Sequence, residues 1–148
     1  MRFSKTTEYA LRIFSLMAEN EKKLYRAEEI FEKLRIPMRY LRKLLTLLSK
    51  SELMHSIQGK SGGFMLSKKI DKISLYDIVK VTTTKSDESM CFFGFKNCAF
   101  DNKCSMHDKW ESIQSYIDNI LKSTTISDLT NKRTNDFIYN NSLFIKND

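Results

Sequence analysis

A chain of 148 residues and 17.4 kDa, 41% hydrophobic and 29% charged, has the make-up of one globular domain with enough material to bury a core. Four glycines and one proline exclude a long flexible or Pro-rich linker, and no apolar run approaches the roughly 20 residues of a membrane span, so no membrane contact is expected. The 25 Lys and Arg against 18 Asp and Glu are unevenly spread: residues 1–66 hold 13 basic and 7 acidic side chains, 67–108 hold 7 and 6, and 109–148 hold 5 and 5. The positive field therefore sits in the front half, where it suits a phosphate-rich partner. The opening Met1-Arg2-Phe3-Ser4-Lys5 lacks the apolar stretch of a secretory signal, which predicts a cytoplasmic address.

In chain order, apolar residues at Tyr9/Ala10, Ile13/Phe14 and Leu16/Met17 predict an amphipathic helix from Thr6 to about Ala18. A second helix fits Arg26 to Leu34, with Ala27, Ile30, Phe31 and Leu34 on one face, and Arg35-Ile36-Pro37 ends it. From Met38 to Lys50 a face of Leu41, Leu44, Leu45 and Leu48 opposes Arg39, Arg42, Lys43, Thr46 and Lys50. Lys33 to Lys50 carries six basic residues and no acidic one. Two helices joined by a short turn, the second basic near its start, form a helix-turn-helix, and Arg42 has the donors for a bidentate contact to guanine. Taken alone, the same charges describe a solvated face. Next, Met54 to Gln58, Gly59-Lys60-Ser61-Gly62-Gly63 and Phe64 to Ser67 read as strand, glycine-rich turn and strand, the wing of a winged helix. Glycines let the turn approach a ligand, and Lys60 and Ser61 at its tip are placed for phosphates or the minor groove. A strand rather than a helix follows, which argues against a nucleotide-binding loop. His55 reads as a strand residue.

Ser74-Leu75-Tyr76-Asp77 matches a capping box that opens a short helix, and the polar run from Thr82 to Ser89 reads as loop. All three cysteines follow within fourteen positions, as Cys91-x6-Cys98-x5-Cys104-x2-His107. Ser105-Met106-His107-Asp108 then caps a long helix whose stripe of Trp110, Ile113, Ile117, Ile120 and Leu121, flanked by Tyr116, has the near-heptad rhythm of a helix that pairs with a copy of itself. The alternative is a helix packed on its own domain. The Asn-rich end from Thr130 to Asp148 carries at most a short element around Phe137 to Tyr139.

An odd cysteine count argues against a disulfide framework. Three thiols and an imidazole beside a helix N-terminus make a metal site plausible, because the helix dipole favours thiolates. Zinc accepts such a set, but its usual close cysteine pair is missing; wider spacing suits an iron–sulfur cluster. Residue chemistry leaves both open.

Four motifs in order carry a resemblance. Met1-Arg2-Phe3-Ser4-Lys5-Thr6-Thr7-Glu8-Tyr9-Ala10-Leu11-Arg12, Ile36-Pro37-x-x-Tyr40-Leu41-x-Lys43-Leu44-Leu45, Gln58-Gly59-x-x-Gly62-Gly63-Phe64-x-Leu66 and the three-cysteine loop resemble the bacterial iron–sulfur winged-helix regulators of the IscR/NsrR type, over residues 1 to about 129. The resemblance implies a homodimeric transcriptional regulator with a cluster in the Cys91 to Cys104 loop. It makes Cys91, Cys98 and Cys104 ligands, although the first gap is one residue longer than usual. His107 matches the fourth ligand of the IscR branch, with [2Fe-2S], and Glu8 the acidic ligand that the NsrR branch contributes across the dimer to [4Fe-4S]. An imidazole suits a stable [2Fe-2S] centre, so His107 is favoured. Two positions depart from the pattern: Gln58 replaces a basic wing residue, and Arg42 replaces a glutamate of the recognition helix, so the operator should differ. Ser4, Lys5 and Arg39 are expected on phosphates; Tyr40 contacts phosphate or packs.

The expected fold is mainly α: a winged helix-turn-helix domain with a β-hairpin wing over 1–82, a cysteine-cluster loop over 83–104, a long C-terminal dimerisation helix over 105–129 and a tail over 130–148. The expected function is a homodimeric regulator of palindromic double-stranded DNA that senses cluster status, nitric oxide or redox state. A structural zinc or redox-active thiols are the alternative. No triad or acid pair points to an enzyme.

Overall fold

The computed structural model describes residues 3–83, 91–95 and 104–130. In chain order it contains α1 (Lys5–Met17), α2 (Ala27–Leu34), α3 (Met38–Lys50), β1 (Met54–Ile57), β2 (Gly63–Leu66), α4 (Leu75–Thr82), α5 (His107–Ser123) and α6 (Ile126–Leu129), with 3-10 turns at Ala18–Asn20 and Ile70–Lys72. No helix among the described residues is long and apolar enough to cross a membrane.

α1 starts where the Ser4 hydroxyl oxygen accepts the Thr7 N–H at 3.2 Å, satisfying a donor that the first helical turn leaves unpaired. Its buried face of Ala10, Ile13, Phe14 and Met17 meets Ile30 and Leu34 of α2 and the leucines of α3 in one core. The α2–α3 turn is as expected in place, but proline is only part of its cause. Arg35 adopts the left-handed conformation at φ 53° and donates its N–H to the Phe31 carbonyl, which ends α2 before Pro37 is reached. Ile36 is then fully buried, and Pro37 stands at the N-cap of α3. α3 buries Leu41, Leu44, Leu45 and Leu48 and exposes Arg39, Arg42, Lys43 and Thr46, the division that the spacing of its leucines dictates.

The wing is an antiparallel hairpin with Met54 opposite Leu66 and Ile57 opposite Gly63; His55 is an exposed strand residue facing Met65 across the pair. Tyr25 adds a third rung. Its N–H donates to the Phe64 carbonyl and its carbonyl accepts the Phe64 N–H, both at 2.8 Å. This explains two glycines: a Cβ on Gly63 would lie 2.7 Å from the Tyr25 carbonyl oxygen, and one on Gly62 would lie 2.1 Å from that of Ile57. Both serve backbone approach within the chain. Gly59, at φ +109° with open space around it, is the glycine of the exposed turn.

Three expectations need correction beyond the wing. Thr82 belongs to α4 instead of the loop: it is buried, and its hydroxyl donates to the Ile78 carbonyl at 2.8 Å. Ser105 does not cap α5; the N-cap is Met106, which makes no side-chain hydrogen bond. The helix expected over 105–129 ends at Ser123. Thr124 and Thr125 instead pair with the segment ahead of α4, Leu75 N–H donating to the Thr124 carbonyl at 2.9 Å and Ile126 N–H to that of Ile73 at 3.0 Å. A capping box of Thr125 and Asp128 then starts α6. The break brings Ile126 fully into the core, a burial on the order of 2 kcal/mol that a continuous helix would forgo. The element suggested around Phe137 to Tyr139 lies outside the described residues.

Candidate DNA-binding face and cysteine loop

The start of α1, the exposed side of α3 and the wing carry the basic side chains. Ser4 and Lys5 are exposed at the beginning of α1, Lys5 pairing with Glu8 at 3.6 Å. Arg39, Arg42 and Lys43 project from the first turns of α3, and Gln58, Lys60 and Ser61 from the tip of the wing, all of them exposed. Tyr40 is half-buried: its hydroxyl is hydrogen-bonded to that of Thr6, and its ring meets Tyr9 edge-on at 5.6 Å. Tyr40 therefore braces α3 against α1.

Between α3 and the wing runs an open groove of about 580 Å³ whose charged lining is Arg26, Glu28, Arg42 and Lys60. Sequence reasoning missed two of these. Arg26, the N-cap residue of α2, donates from Nη2 to the Lys60 carbonyl at 3.2 Å and so ties the wing tip to α2. Glu28, in the first turn of α2, accepts from Arg42 Nη2 at 3.3 Å, with the two side chains 63% and 66% exposed. At that exposure the pair contributes only about 0–1 kcal/mol to folding. Neither partner stands out in the sequence, because both contacts join residues from different elements.

At the cysteine loop, Cys91 and Cys104 are free thiols and partly buried, whereas Cys98 lies outside the described residues. Cys91 opens a turn in which the Gly94 N–H donates to its carbonyl at 2.9 Å. The next residue, Phe92, meets Trp110 edge-on at 5.5 Å. The Cys104 carbonyl accepts the His107 N–H at 3.0 Å, so thiol and imidazole share the turn that leads into α5. Ligand atoms of His107, Asp108 and Glu111 lie within 4.8 Å of one another. Glu8 is placed on α1, in the pair with Lys5.

The stripe on α5 divides. Ile113, Tyr116 and Ile120 are 46%, 68% and 45% exposed, Trp110 and Ile117 are half-buried, and Leu121 is 8% exposed in a helix that packs on α4. Leu121 is thus committed to its own chain, a correction to its assignment to the self-pairing face.

Comparison with known proteins places this arrangement. Residues 3–132 match the Rrf2 family, described as "Iron-dependent Transcriptional regulator". A protein of Aquifex aeolicus assigned as an HTH-type transcriptional regulator is 38% identical over 133 residues, 88% of this chain and 92% of its own. The HTH-type transcriptional regulator IscR of Yersinia pestis is 28% identical over 105 residues, 71% of this chain and 63% of its own. Among solved structures, CymR, titled the global cysteine regulator of B. subtilis, superposes with a TM-score of 0.73 at 24% identity over 87% of this chain and 95% of its own. IscR of T. potens gives 0.70 at 22% identity over 86% and 85%. These are winged-helix folds, and the family and relatives are transcriptional regulators, not enzymes. With nearly its whole described length inside the family match, the chain belongs to the Rrf2 family of DNA-binding transcriptional regulators.

Proposed function

We propose that two copies of the chain bind a palindromic operator as a homodimer, and that operator affinity follows the state of an iron–sulfur cluster in the cysteine loop. The ligands are Cys91, Cys98, Cys104 and His107, with Glu8 the alternative to His107 and [2Fe-2S] favoured over [4Fe-4S]. The observation that carries this reading is the shared turn of Cys104 and His107 at the head of α5, where the helix dipole favours a thiolate. Three thiols and an imidazole are a donor set that suits iron. The carboxylates of Asp108 and Glu111 stand within 4.8 Å of the imidazole, and nearby carboxylates are a common support of metal-bound histidines. The pairing of Glu8 with Lys5 favours His107 over it. When bound, the cluster supplies a centre that reacts with oxidants and nitric oxide; the chain supplies the donors and the helix attached to them.

On the DNA side, Ser4, Lys5 and Arg39 take phosphates, Arg42 reads a guanine, and Tyr40, Lys43, Gln58, Lys60 and Ser61 complete the face. Ile113, Tyr116 and Ile120, with Trp110 and Ile117 beside them, form the self-pairing surface.

The test is absorbance, Mössbauer and metal analysis of anaerobically purified protein. Cys98→Ala should abolish the visible absorbance and change operator affinity. Arg42→Ala should weaken specific binding by about 1–3 kcal/mol with the absorbance intact. A Cys98→Ala protein of full colour would sink the ligand assignment. The free thiols of Cys91 and Cys104, together with the fold likeness to a global cysteine regulator, support a second reading in which bare thiols or a zinc replace the cluster. Zinc, or neither metal, with no acid-labile sulfide would select it.

A further inference from the structure

We infer that Glu28 is a positioning residue for Arg42 and sets how strictly the groove discriminates an operator from other DNA; the inference rests on the proposed DNA-facing role of α3. Among the described residues, Glu28 is the single acid lining the groove, beside Arg26, Arg42 and Lys60. Its pair with Arg42 is too exposed to matter much for folding. Toward a polyanion, moreover, a carboxylate in that place is unfavourable by itself.

Its effect on Arg42 differs between the two kinds of DNA. A guanidinium held by nothing swings to the nearest phosphate, a contact that any sequence offers. With one Nη2 hydrogen on Glu28, the guanidinium is restrained near the α2 wall and keeps its remaining donors for a base edge. The same carboxylate repels a phosphate that approaches the groove floor. The surrounding walls hold this arrangement: Arg26 ties the wing to α2, and the Thr46 hydroxyl donates to the Arg42 carbonyl at 2.9 Å, one turn on. Glu28 therefore weakens non-specific binding more than specific binding.

The experiment uses the full chain, purified anaerobically, with a duplex selected by the wild-type protein from a random-sequence pool and a scrambled duplex of equal length. Kd is measured by fluorescence anisotropy over a salt series for Glu28→Gln, Arg42→Ala and the double variant, with a thermal melt to confirm folding. Arg42→Ala should lose discrimination by about tenfold or more. Glu28→Gln should tighten the scrambled duplex by about three- to tenfold, leave the selected duplex within about twofold and steepen the salt dependence on scrambled DNA by about 0.9. In the Arg42→Ala background, Glu28→Gln should act equally on both duplexes. Equal tightening of both duplexes in the wild-type background, or no change in either, overturns the role of Glu28 while leaving α3 as the reader. Full discrimination by Arg42→Ala overturns the reading of α3 and this inference with it.

Discussion

Replacing Thr7 with Val removes the middle hydroxyl of a chain that joins the start of α1 to the end of α4. The Ile78 carbonyl can only accept, so the Thr82 hydroxyl donates to it at 2.8 Å. With its one proton committed, Thr82 accepts from Thr7 at 2.8 Å, and Thr7 in turn accepts from Ser4 at 3.0 Å. Thr7 and Thr82 are both buried, so water does not replace a lost partner. Thr7→Val leaves the Thr82 oxygen without its donor, a loss of about 1 kcal/mol. Thr82→Val costs a similar amount: the Thr7 hydroxyl turns back to Ser4 but loses its buried acceptor. The double variant puts methyl against methyl and strands no polar atom between these two sites, so its cost should be about 1 kcal/mol instead of about 2. In a chain of this size each kcal/mol lowers Tm by about 2–4 °C. Urea and thermal unfolding of the four proteins measure the cycle. A double-variant cost equal to the sum of the singles would refute the hydroxyl chain.

Gly62→Ala should disrupt the wing more than Gly59→Ala, since the first drives a Cβ to 2.1 Å from the Ile57 carbonyl and the second adds only turn strain of about 1–3 kcal/mol at φ +109°. Hydrogen exchange of the β1 and β2 amides reports the difference, and faster exchange in Gly59→Ala than in Gly62→Ala contradicts it. Burial, reinforced by the Glu19 and Glu29 carboxylates, raises the Tyr25 hydroxyl above its ordinary value of 10.0. Its contribution is therefore present below the unfolded-state value and lost as pH rises through the folded one. Tyr25→Phe should cost about 1 kcal/mol at neutral pH, through the lost bond to the Leu16 carbonyl, and flatten the fall of Tm as pH rises above about 10.

The sequence carries those features that arise within one element. The bounds of α3 follow from Pro37 and the leucine spacing, and the DNA-facing charge from a basic run without acids. The capping box of Ser74 with Asp77 spans four residues and is equally legible. Contacts between elements leave no such trace. Nothing local to Thr124 tells a helix of this amphipathic pattern to stop; the reason is backbone pairing with Ile73 and Leu75, roughly 50 positions earlier, and the burial of Ile126. The Arg42–Glu28 pair and the Arg26 tie are hidden for the same reason. A glycine-rich wing is legible as a turn, but whether its glycines face a ligand or the chain itself depends on Tyr25, which comes from outside the hairpin. Cys104 and His107 are legible together as site candidates because only two residues part them, the spacing of one turn.

Those inter-element contacts also determine what the proposed sensing loop can move. The end of α4 is tied to the winged-helix body at Thr82, whose hydroxyl is linked through Thr7 to Ser4, and the C-terminal end of α5 and the start of α6 are buried at Leu121 and Ile126. α5 is therefore fixed at its C-terminal end, while Cys104 lies just ahead of its N-terminus, His107 is its first residue, and the exposed Ile113 and Tyr116 lie near its middle. Over its 17 residues α5 spans about 25 Å, so a rotation of about 10° at the fixed end displaces the other by about 4 Å. In a pair of chains held together along α5, that displacement appears as a change in the separation of the two α3 helices. Matching major-groove faces lie about 34 Å apart, and a shift of a few Å in separation loosens one of the two contacts. On this reading the loop need not touch DNA, and no step of catalysis is involved: the ligands act at the N-terminal end of α5, and the fixed point is its C-terminal end at Leu121 with Ile126 just beyond it.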